Sequence, residues 1–255
     1  MIVTVDIEHD WEGEGIKNIS LIPRLLDFFD DYNIKATFFV LGKLIEKHEN
    51  YIKEISKKHE IASHGFLHIN LKKVDIKTLE KEVFLTKKIL SELKIKCIGF
   101  RSPYFLLPKI LGEILEKNGY KYDSSVSKGI LWGRYNNIFL PDKPYYLYKK
   151  IIEIPVSNFS FLKMPFGLPF LRLARKFHLP TNGIKKSSVF YMHPYELLGT
   201  KPRKEITFIY RQLYKISVGE KAWNILENFF SNLNCKFITC RDYIKRFKKN
   251  EKYVE

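Results

Sequence analysis

Short apolar runs alternate with amphipathic segments along most of this chain. The runs that predict buried strands are rich in β-branched and aromatic residues and cover residues 2–7, 35–42, 61–63, 96–101 and 235–239. Apolar residues recur at helical spacing in residues 19–32, 51–55, 76–93, about 108–118, 219–231 and 240–249. This alternation predicts a parallel sheet. Because strand and helix alternate several times, it also predicts one α/β barrel domain over residues 1–255. The helix 76–93 is expected to face solvent.

The least regular part of the pattern is residues 125–185. Within it, residues 159–177 combine dense apolar positions with two prolines, which predicts a broken helix. The same stretch carries the basic residues Lys163, Arg172, Arg175 and Lys176. We expect residues 159–185 to be an insertion that covers the active site; the alternative is a segment in a bilayer interface, with the basic residues towards anionic head groups. Residues 245–255 are expected to form a basic, frayed tail.

The composition bounds the class and the compartment. With 45% apolar and 15% aromatic residues, the chain is typical of a folded globular protein. Three scattered cysteines, Cys97, Cys235 and Cys240, favour reduced thiols over a disulfide framework. Acidic residues follow Met1 almost at once, without the start of a signal peptide, and no apolar run approaches the ~20 residues of a membrane span. These features predict a cytoplasmic protein.

The formal net charge of +16 suggests an anionic partner. A membrane surface and a phosphorylated carrier both fit, so peripheral contact with the inner face of a membrane stays open, as does a merely Lys-rich surface. Nucleic acid is not expected, because the aromatic residues are not interleaved with basic ones as a strand-binding platform requires.

Two histidines stand four residues apart in HEIASHGFLH, residues 59–68. A strand is predicted to end just before His64 and Gly65 opens a turn, so one helical turn would put His64 and His68 on the same side. Two neutral imidazoles at this spacing are a frequent way to hold a divalent transition metal, although the spacing also arises by chance.

Three carboxylates, Asp6, Glu8 and Asp10, crowd the end of the first predicted strand. In an extended chain, residues i and i+2 face the same way, so Asp6 and Glu8 can share a site. One carboxylate near His64 and His68 would complete a metal set with open positions for water, and the other could act as a base.

Further polar residues also follow apolar runs. A guanidinium at Arg101 would keep a base carboxylate ionised and oriented. Asp123 in YDSS and His193 in YMHPYEL are predicted to form a second acid–base pair, in which the carboxylate keeps the imidazole protonated. Chemistry in such barrels gathers at the carboxyl ends of the strands, so we expect Asp6, His64, Arg101 and His193 on one rim.

The ordered motifs TVDIEHD, TFFVLG, HEIASHGFLH, FRSPY, YDSS, IPVS and FYMHPYEL resemble those of the polysaccharide deacetylase family, the NodB-like carbohydrate esterases. The resemblance covers roughly residues 2–200 and implies a distorted (β/α) barrel of about seven strands. It also implies a hydrolase that removes an N-acyl group from a sugar with the help of a divalent metal, Zn²⁺ before Co²⁺, Ni²⁺ or Mn²⁺.

Carried over by motif, the resemblance also implies roles for individual residues. Asp6 matches the catalytic base, Arg101 the arginine that tethers it, and His193 the general acid. Asp123 matches the acid that tunes this last histidine, and the Tyr104 N–H matches a donor to the oxyanion.

The metal ligands implied by the resemblance are His64, His68 and one carboxylate. Many members carry two adjacent aspartates in the first motif, whereas here Ile7 follows the first acid. The chain therefore resembles the branch with a D-x-E or D-x-D motif, and we assign the third ligand to Glu8, with Asp10 as the alternative.

The function we expect is removal of an N-acyl group, N-acetyl above all, from an amino sugar of a glycan precursor inside the cell. A nucleotide-linked or polyprenyl-phosphate-linked sugar suits the basic charge, and residues 159–177 favour the lipid-linked form. The alternative is an amidohydrolase of the same fold that acts on a small non-sugar amide, with or without a metal. A non-enzymatic basic barrel would leave the rim histidines and carboxylates unexplained.

Overall fold

The apolar runs of the sequence form the strands of one curled sheet. The computed structural model describes residues 1–10, 17–131, 135–159, 164–181, 185, 187–199, 211, 212 and 214–251. The strands are β1 (Ile2–Ile7), β2 (Ala36–Val40), β3 (Glu60–Ser63), β4 (Gly99–Phe100), β5 (Tyr122–Asp123), β6 (Ile130–Leu131), β7 (Tyr135–Asn136), β8 (Tyr145–Tyr148), β9 (Ile151–Glu153) and β10 (Val189–Met192). Residues in β1, β2 and β3 are buried throughout, as expected for parallel strands covered on both faces.

Eight of these strands make one sheet in the order β10-β1-β2-β3-β4-β5-β9-β8. All neighbours pair in parallel except β8 and β9, which are antiparallel, while β6 and β7 form a separate hairpin. Seven parallel strands in a curled, mixed α/β sheet confirm the predicted distorted (β/α) barrel of about seven strands. Within the described residues no ladder joins β8 to β10, so the barrel is not closed by hydrogen bonds there.

The amphipathic segments form helices that pack on this sheet. They are α1 (Ile22–Asp31), α2 (Gly42–Lys47), α3 (Glu49–Ser56), α4 (Ile76–Glu92), α5 (Leu111–Lys117), α6 (Leu168–Lys176), α7 (Tyr195–Leu198), α8 (Glu220–Ser231) and α9 (Cys240–Glu251). Helix α4 begins where the Asp75 carboxylate accepts a hydrogen bond from Thr78 N at 2.7 Å, an N-cap. None of the described helices is both long and apolar enough to cross a membrane.

The sequence pattern predicts that helix α4 faces solvent, but one side of the helix is buried and contains polar as well as apolar residues. Leu79, Val83 and Leu90 enter the core, but so do the polar residues Glu82 and Thr86. Both of these polar side chains bind the loop that follows β3: Thr86 Oγ1 donates to Gly65 O at 2.8 Å, and Glu82 accepts from backbone N–H groups of the loop.

The segment 159–185 is anchored in the core where the structure describes it. Phe166, Leu168 and Leu171 are buried, and α6 packs against α8 and β10. Arg172 is buried with them, at 1% exposure, so it does not face a lipid surface. Lys163 lies outside the described residues.

The predicted strand 235–239 is wrong. This segment forms no strand and exchanges two hydrogen bonds with Met1: the amino terminus donates to Lys236 O at 2.7 Å, and Ile238 N donates to Met1 O at 3.0 Å. Both edges of β1 are already paired, with β10 and β2, so no ladder can form beside it. The predicted frayed tail is helical over residues 245–251, and its last four residues lie outside the described part of the chain.

Candidate metal centre and active site

Four parallel strands deliver the principal polar side chains to one edge of the sheet. Asp6 lies near the end of β1, while His64, Arg101 and His193 come directly after β3, β4 and β10. The strands run parallel, so their carboxyl ends meet at the same rim, where the sequence pattern expects these residues.

Glu8, His64 and His68 form a cluster whose ligand atoms all lie within 4.8 Å of one another. His64 Nε2 lies 3.6 Å from Glu8 Oε2, and His68 Nε2 pairs with the same oxygen. Two imidazole nitrogens and a carboxylate oxygen are a donor set typical of zinc and related divalent ions. The structure thus contains a candidate His/Glu metal site.

The orientation of His64 fits a role as ligand. Its Nδ1 lies 2.9 Å from the carbonyl oxygen of Arg101, which can only accept a hydrogen bond. Nδ1 therefore carries a hydrogen, and Nε2 points towards Glu8. A hydrogen bond of this kind, which sets the tautomer and direction of the ring, is typical of metal-binding histidines.

The two histidines are joined by a loop, not by the helical turn that their spacing predicts. Gly65 and His68 both have left-handed φ angles, of 79° and 60°. The buried Glu82 carboxylate accepts hydrogen bonds from Phe66 N at 2.8 Å and Leu67 N at 2.9 Å. These bonds hold the loop so that the two rings meet with their centroids 5.3 Å apart.

Asp10, the alternative third ligand, binds Lys17 and Asn18 instead of the histidines. Its carboxylate accepts hydrogen bonds from the backbone N–H groups of Lys17 and Asn18, at 2.6 and 2.9 Å, and from the Asn18 side chain. With both oxygens used in this way, it closes the loop after β1, and the structure favours Glu8 over Asp10.

Asp6 is 2% exposed and is bound to Arg101, which is fully buried. Arg101 Nη1 donates to Asp6 Oδ1 at 2.7 Å and to Thr4 Oγ1 at 2.9 Å. Its Nε and Nη2 donate to the carbonyl and the hydroxyl of Ser124, each at 2.9 Å. The guanidinium is fixed from three sides, so it holds the Asp6 carboxylate in place with its second oxygen towards His193.

His193 faces the cluster from β10. Its Nε2 lies 3.7 Å from Glu8 Oε1 and 4.0 Å from Asp6 Oδ2. Its Nδ1 lies 3.0 Å from Glu196 Oε1, and the same oxygen accepts a hydrogen bond from His193 N at 3.1 Å. The predicted pairing of His193 with Asp123 is therefore corrected: the carboxylate that binds this imidazole is Glu196, brought next to it by the turn into α7.

Asp123 is buried beside another acid. It pairs in register with Glu153 on β9, and its Oδ1 accepts a hydrogen bond from Ser125 Oγ at 2.7 Å. Burial raises the pKa of Asp123 to about 6, against opposition from its hydrogen bonds. Burial and the neighbouring carboxyl also raise the pKa of Glu153 well above its usual range. The Ser125 hydroxyl also accepts from Ser102 N at 2.7 Å, so this acid pair supports the loop after Arg101.

The charges of the site reinforce one another. Burial alone would raise the pKa of Glu8, but the imidazoles of His68, His64 and His193 together hold it well below its usual range. Burial alone would lower the pKa of His193, but Glu196, Glu8 and Asp6 outweigh that effect and raise it. The arrangement pairs the ionised carboxylate of Glu8 with an imidazole that retains its proton, as a general acid requires.

These groups line a cleft of about 90 Å³ with largely aromatic walls. The wall residues include Tyr104, Tyr135, Phe170, Tyr191, Tyr195 and Tyr214. Tyr104 has a left-handed φ of 61° at the mouth, and its ring packs on His68 with centroids 4.5 Å apart. Aromatic faces of this kind can pack against a sugar ring.

Reasoning from the sequence missed three charged residues, Glu82, Glu196 and Arg172. The sequence does contain a signal for Glu196. Pro194 favours the start of a helix directly after His193, and in a helical turn the side chain of residue i+3, here Glu196, lies beside that of residue i, here His193. No local pattern marks Glu82 or Arg172, whose partners come from other segments.

A model of the polysaccharide deacetylase family matches residues 14–122. The chain is therefore similar to this family over residues 14–122. The matched range contains His64, His68 and Arg101, while Asp6 and His193 lie outside it.

Two relatives match about two fifths of the chain. The peptidoglycan-N-acetylglucosamine deacetylase of Bacillus cereus is 37% identical over 100 residues, which are 39% of this chain and 34% of that protein. The peptidoglycan deacetylase of Helicobacter pylori is 34% identical over 107 residues, 41% of this chain and 36% of that protein. The matches thus span about a third of the length of these relatives.

The fold extends the likeness to nearly the whole chain. The crystal structure of a Mycobacterium smegmatis protein that has been assigned to the polysaccharide deacetylases covers 98% of this chain and 91% of its own, with a TM-score of 0.59 and 19% identity. This likeness establishes that the chain has the polysaccharide deacetylase fold.

Proposed function

We propose that this chain is a metal-dependent hydrolase that removes an N-acyl group, N-acetyl above all, from an amino sugar. The observation that carries the proposal is that Asp6 and His193 line the same cleft as the Glu8–His64–His68 cluster, with His193 Nε2 within 4.0 Å of carboxylate oxygens of both Asp6 and Glu8. The substrate class is supported by the similarity to the peptidoglycan deacetylases of Bacillus cereus and Helicobacter pylori.

The metal would be held by Glu8, His64 and His68, with Zn²⁺ the first candidate for this donor set. When bound, such an ion supplies a Lewis acid that polarises the amide carbonyl and makes water more acidic.

The side chains carry the proton transfers. Asp6, fixed by Arg101, takes a proton from the water whose oxygen bonds to the carbonyl carbon. His193 Nε2 gives its proton to the amide nitrogen as the carbon–nitrogen bond breaks, so that acetate and a free amine leave. The Tyr104 N–H, beside the mouth of the cleft, is the proposed donor to the oxyanion.

The finer identity of the substrate is also part of the proposal. We propose a sugar of a glycan precursor that is linked to a polyprenyl phosphate or a nucleotide, handled in the cytoplasm or at the inner face of the membrane. The net charge of +16 supports an anionic substrate. Because Arg172 is buried, residues 159–177 offer one basic side chain fewer to anionic lipid head groups. The polyprenyl phosphate and the nucleotide are therefore equally well supported as the carrier of the sugar.

The test combines metal analysis with a substrate panel. Purified protein is expected to hold one metal ion per chain, and Glu8→Gln to lose it, whereas Asp10→Asn, which changes the neighbouring acid, is expected to retain it. Asp6→Asn is expected to lower kcat at least 10²-fold on N-acetyl sugars while metal content is unchanged.

The panel compares chitooligosaccharides, peptidoglycan fragments, a nucleotide-linked N-acetylamino sugar and small cyclic amides. Hydrolysis of a cyclic amide by metal-free protein would support the non-sugar amidohydrolase instead. Full activity of Asp6→Asn together with the absence of metal would overturn the proposal.

A further inference from the structure

Arg172 makes a buried ion pair that the reaction outlined above does not use. Although its helix α6 ends in exposed basic residues, the Arg172 side chain is 1% exposed. Its Nε donates to Glu196 Oε2 at 2.9 Å, and Nη2 lies 2.8 Å from the same oxygen. Its Nη1 donates to the carbonyl oxygen of Ile216 at 2.5 Å.

The other oxygen of the same carboxylate binds His193. Glu196 Oε1 lies 3.0 Å from His193 Nδ1 and accepts from His193 N at 3.1 Å. A carboxylate opposite Nδ1 requires a hydrogen on that nitrogen, which directs Nε2 into the cleft towards Asp6 and Glu8. Glu196 thereby sets both the tautomer and the direction of the ring.

The carboxylate itself can do this only while it is ionised and fixed. Glu196 is 1% exposed, and a buried carboxylate without a partner either takes up a proton or moves towards water. Arg172 supplies the opposite charge on one oxygen and leaves the other free for His193. Because its third nitrogen is tied to the Ile216 carbonyl, the guanidinium cannot follow Glu196 if the carboxylate moves.

We propose that Arg172 is a positioning residue for His193, acting through Glu196, in the hydrolysis of the amide bond. This inference rests on the proposed function. Residues Arg172, Glu196 and His193 come from α6, α7 and the end of β10, so the segment 159–185 contributes to the chemistry of the site as well as to its wall.

The competing explanation is a purely structural ion pair that ties α6 to α7. Measurement of kcat and KM distinguishes this explanation from a positioning role. We expect Arg172→Met to lower kcat about 10–100-fold while KM changes by less than about twofold, because the substrate still binds but the proton donor is misdirected. Arg172→Lys keeps the charge and is expected to recover most of the lost kcat. Arg175→Met, on the exposed face of the same helix, is the matched control and is expected to keep the activity of the wild type.

A double-variant cycle identifies the group through which Arg172 acts. In a His193→Gln background, adding Arg172→Met is expected to lower kcat no further. A structural pair would instead give the same fold loss in both backgrounds. If Arg172→Met fails to fold, Glu196→Gln takes its place in the cycle, since the amide keeps the size of the carboxylate and loses its charge.

A spectroscopic measurement tests the inference without enzyme turnover. Long-range ¹H–¹⁵N spectra of histidine-labelled protein, with His193 assigned from His193→Gln, are expected to show a hydrogen on Nδ1 in the wild type and a changed pattern in Arg172→Met. An unchanged spectrum together with unchanged kcat overturns the role of Arg172. A wild type without amide hydrolysis on the whole panel but with the changed spectrum overturns the proposed function and leaves the positioning of His193 by Arg172 supported.

Discussion

Replacement of Arg101 by methionine tests the centre of the site through stability alone. Arg101 is fully buried and donates four hydrogen bonds, to Thr4, Asp6 and Ser124. Methionine fills part of the volume but donates none of these bonds. The largest consequence is at Asp6, which stays 2% exposed and loses the charge that compensates it.

Breaking a buried pair by removing one partner typically costs about 3–5 kcal/mol. We expect Arg101→Met to lose free energy of unfolding in that range, which is a large part of the ~5–15 kcal/mol of a typical domain. Asp6→Asn/Arg101→Met removes the uncompensated charge as well. This double variant is therefore expected to be more stable than the sum of the two single effects predicts, by about 0.5–3 kcal/mol.

The assay is urea unfolding followed by circular dichroism, with a chelator present so that metal binding does not contribute. Arg24→Met is the matched control, because Arg24 pairs with Glu220 on the surface, with 48% and 72% of the two side chains exposed. Exposed ion pairs are screened by water, so we expect Arg24→Met to lose only a small fraction of the free energy of unfolding that Arg101→Met loses. If Arg101→Met is as stable as Arg24→Met, or if the double variant is strictly additive, the argument for a charge-compensated Asp6 is refuted.

Three further changes test the surroundings of the site. Glu82→Gln replaces the charged oxygen that accepts from both loop N–H groups with a neutral amide, and is expected to weaken Zn²⁺ binding about 10–100-fold by calorimetry. Glu80→Gln, at a partly exposed position on the same helix, should leave the affinity for Zn²⁺ unchanged, and equal affinities of the two variants would contradict the role of Glu82. Gly65→Ala forces a side chain into φ 79° and is expected to cost about 1–2 kcal/mol in thermal unfolding, whereas an unaltered melting temperature would show that the turn tolerates it. Since burial raises the pKa of Asp123 to about 6, the folded protein binds this proton more tightly than the unfolded chain; wild-type stability should therefore fall as pH rises from about 4 to 6. Asp123→Asn should flatten that fall, and parallel profiles for the two proteins would count against the raised pKa.

Much of the fold could be predicted from the sequence, because strand and helix periodicity is local. The runs before Asp6, His64 and His193 are strands, and parallel strands necessarily bring their carboxyl ends to one rim. The choice of Glu8 over Ile7 for the site likewise follows from the alternation of side chains along an extended chain.

The tertiary structure alone decided which charged groups meet at that rim. Arg172 and Glu196 lie on different helices 24 residues apart, so no local pattern distinguishes the buried partner of Glu196 from a basic residue on a lipid-facing helix. Likewise, Asp123 follows a strand as predicted, but the strand order places it beside Glu153 and leaves His193 to Glu196. Periodicity reports which face of an element is apolar. Which segments then pack against each other depends on contacts between distant parts of the chain, and these contacts determine the partner of each buried charge.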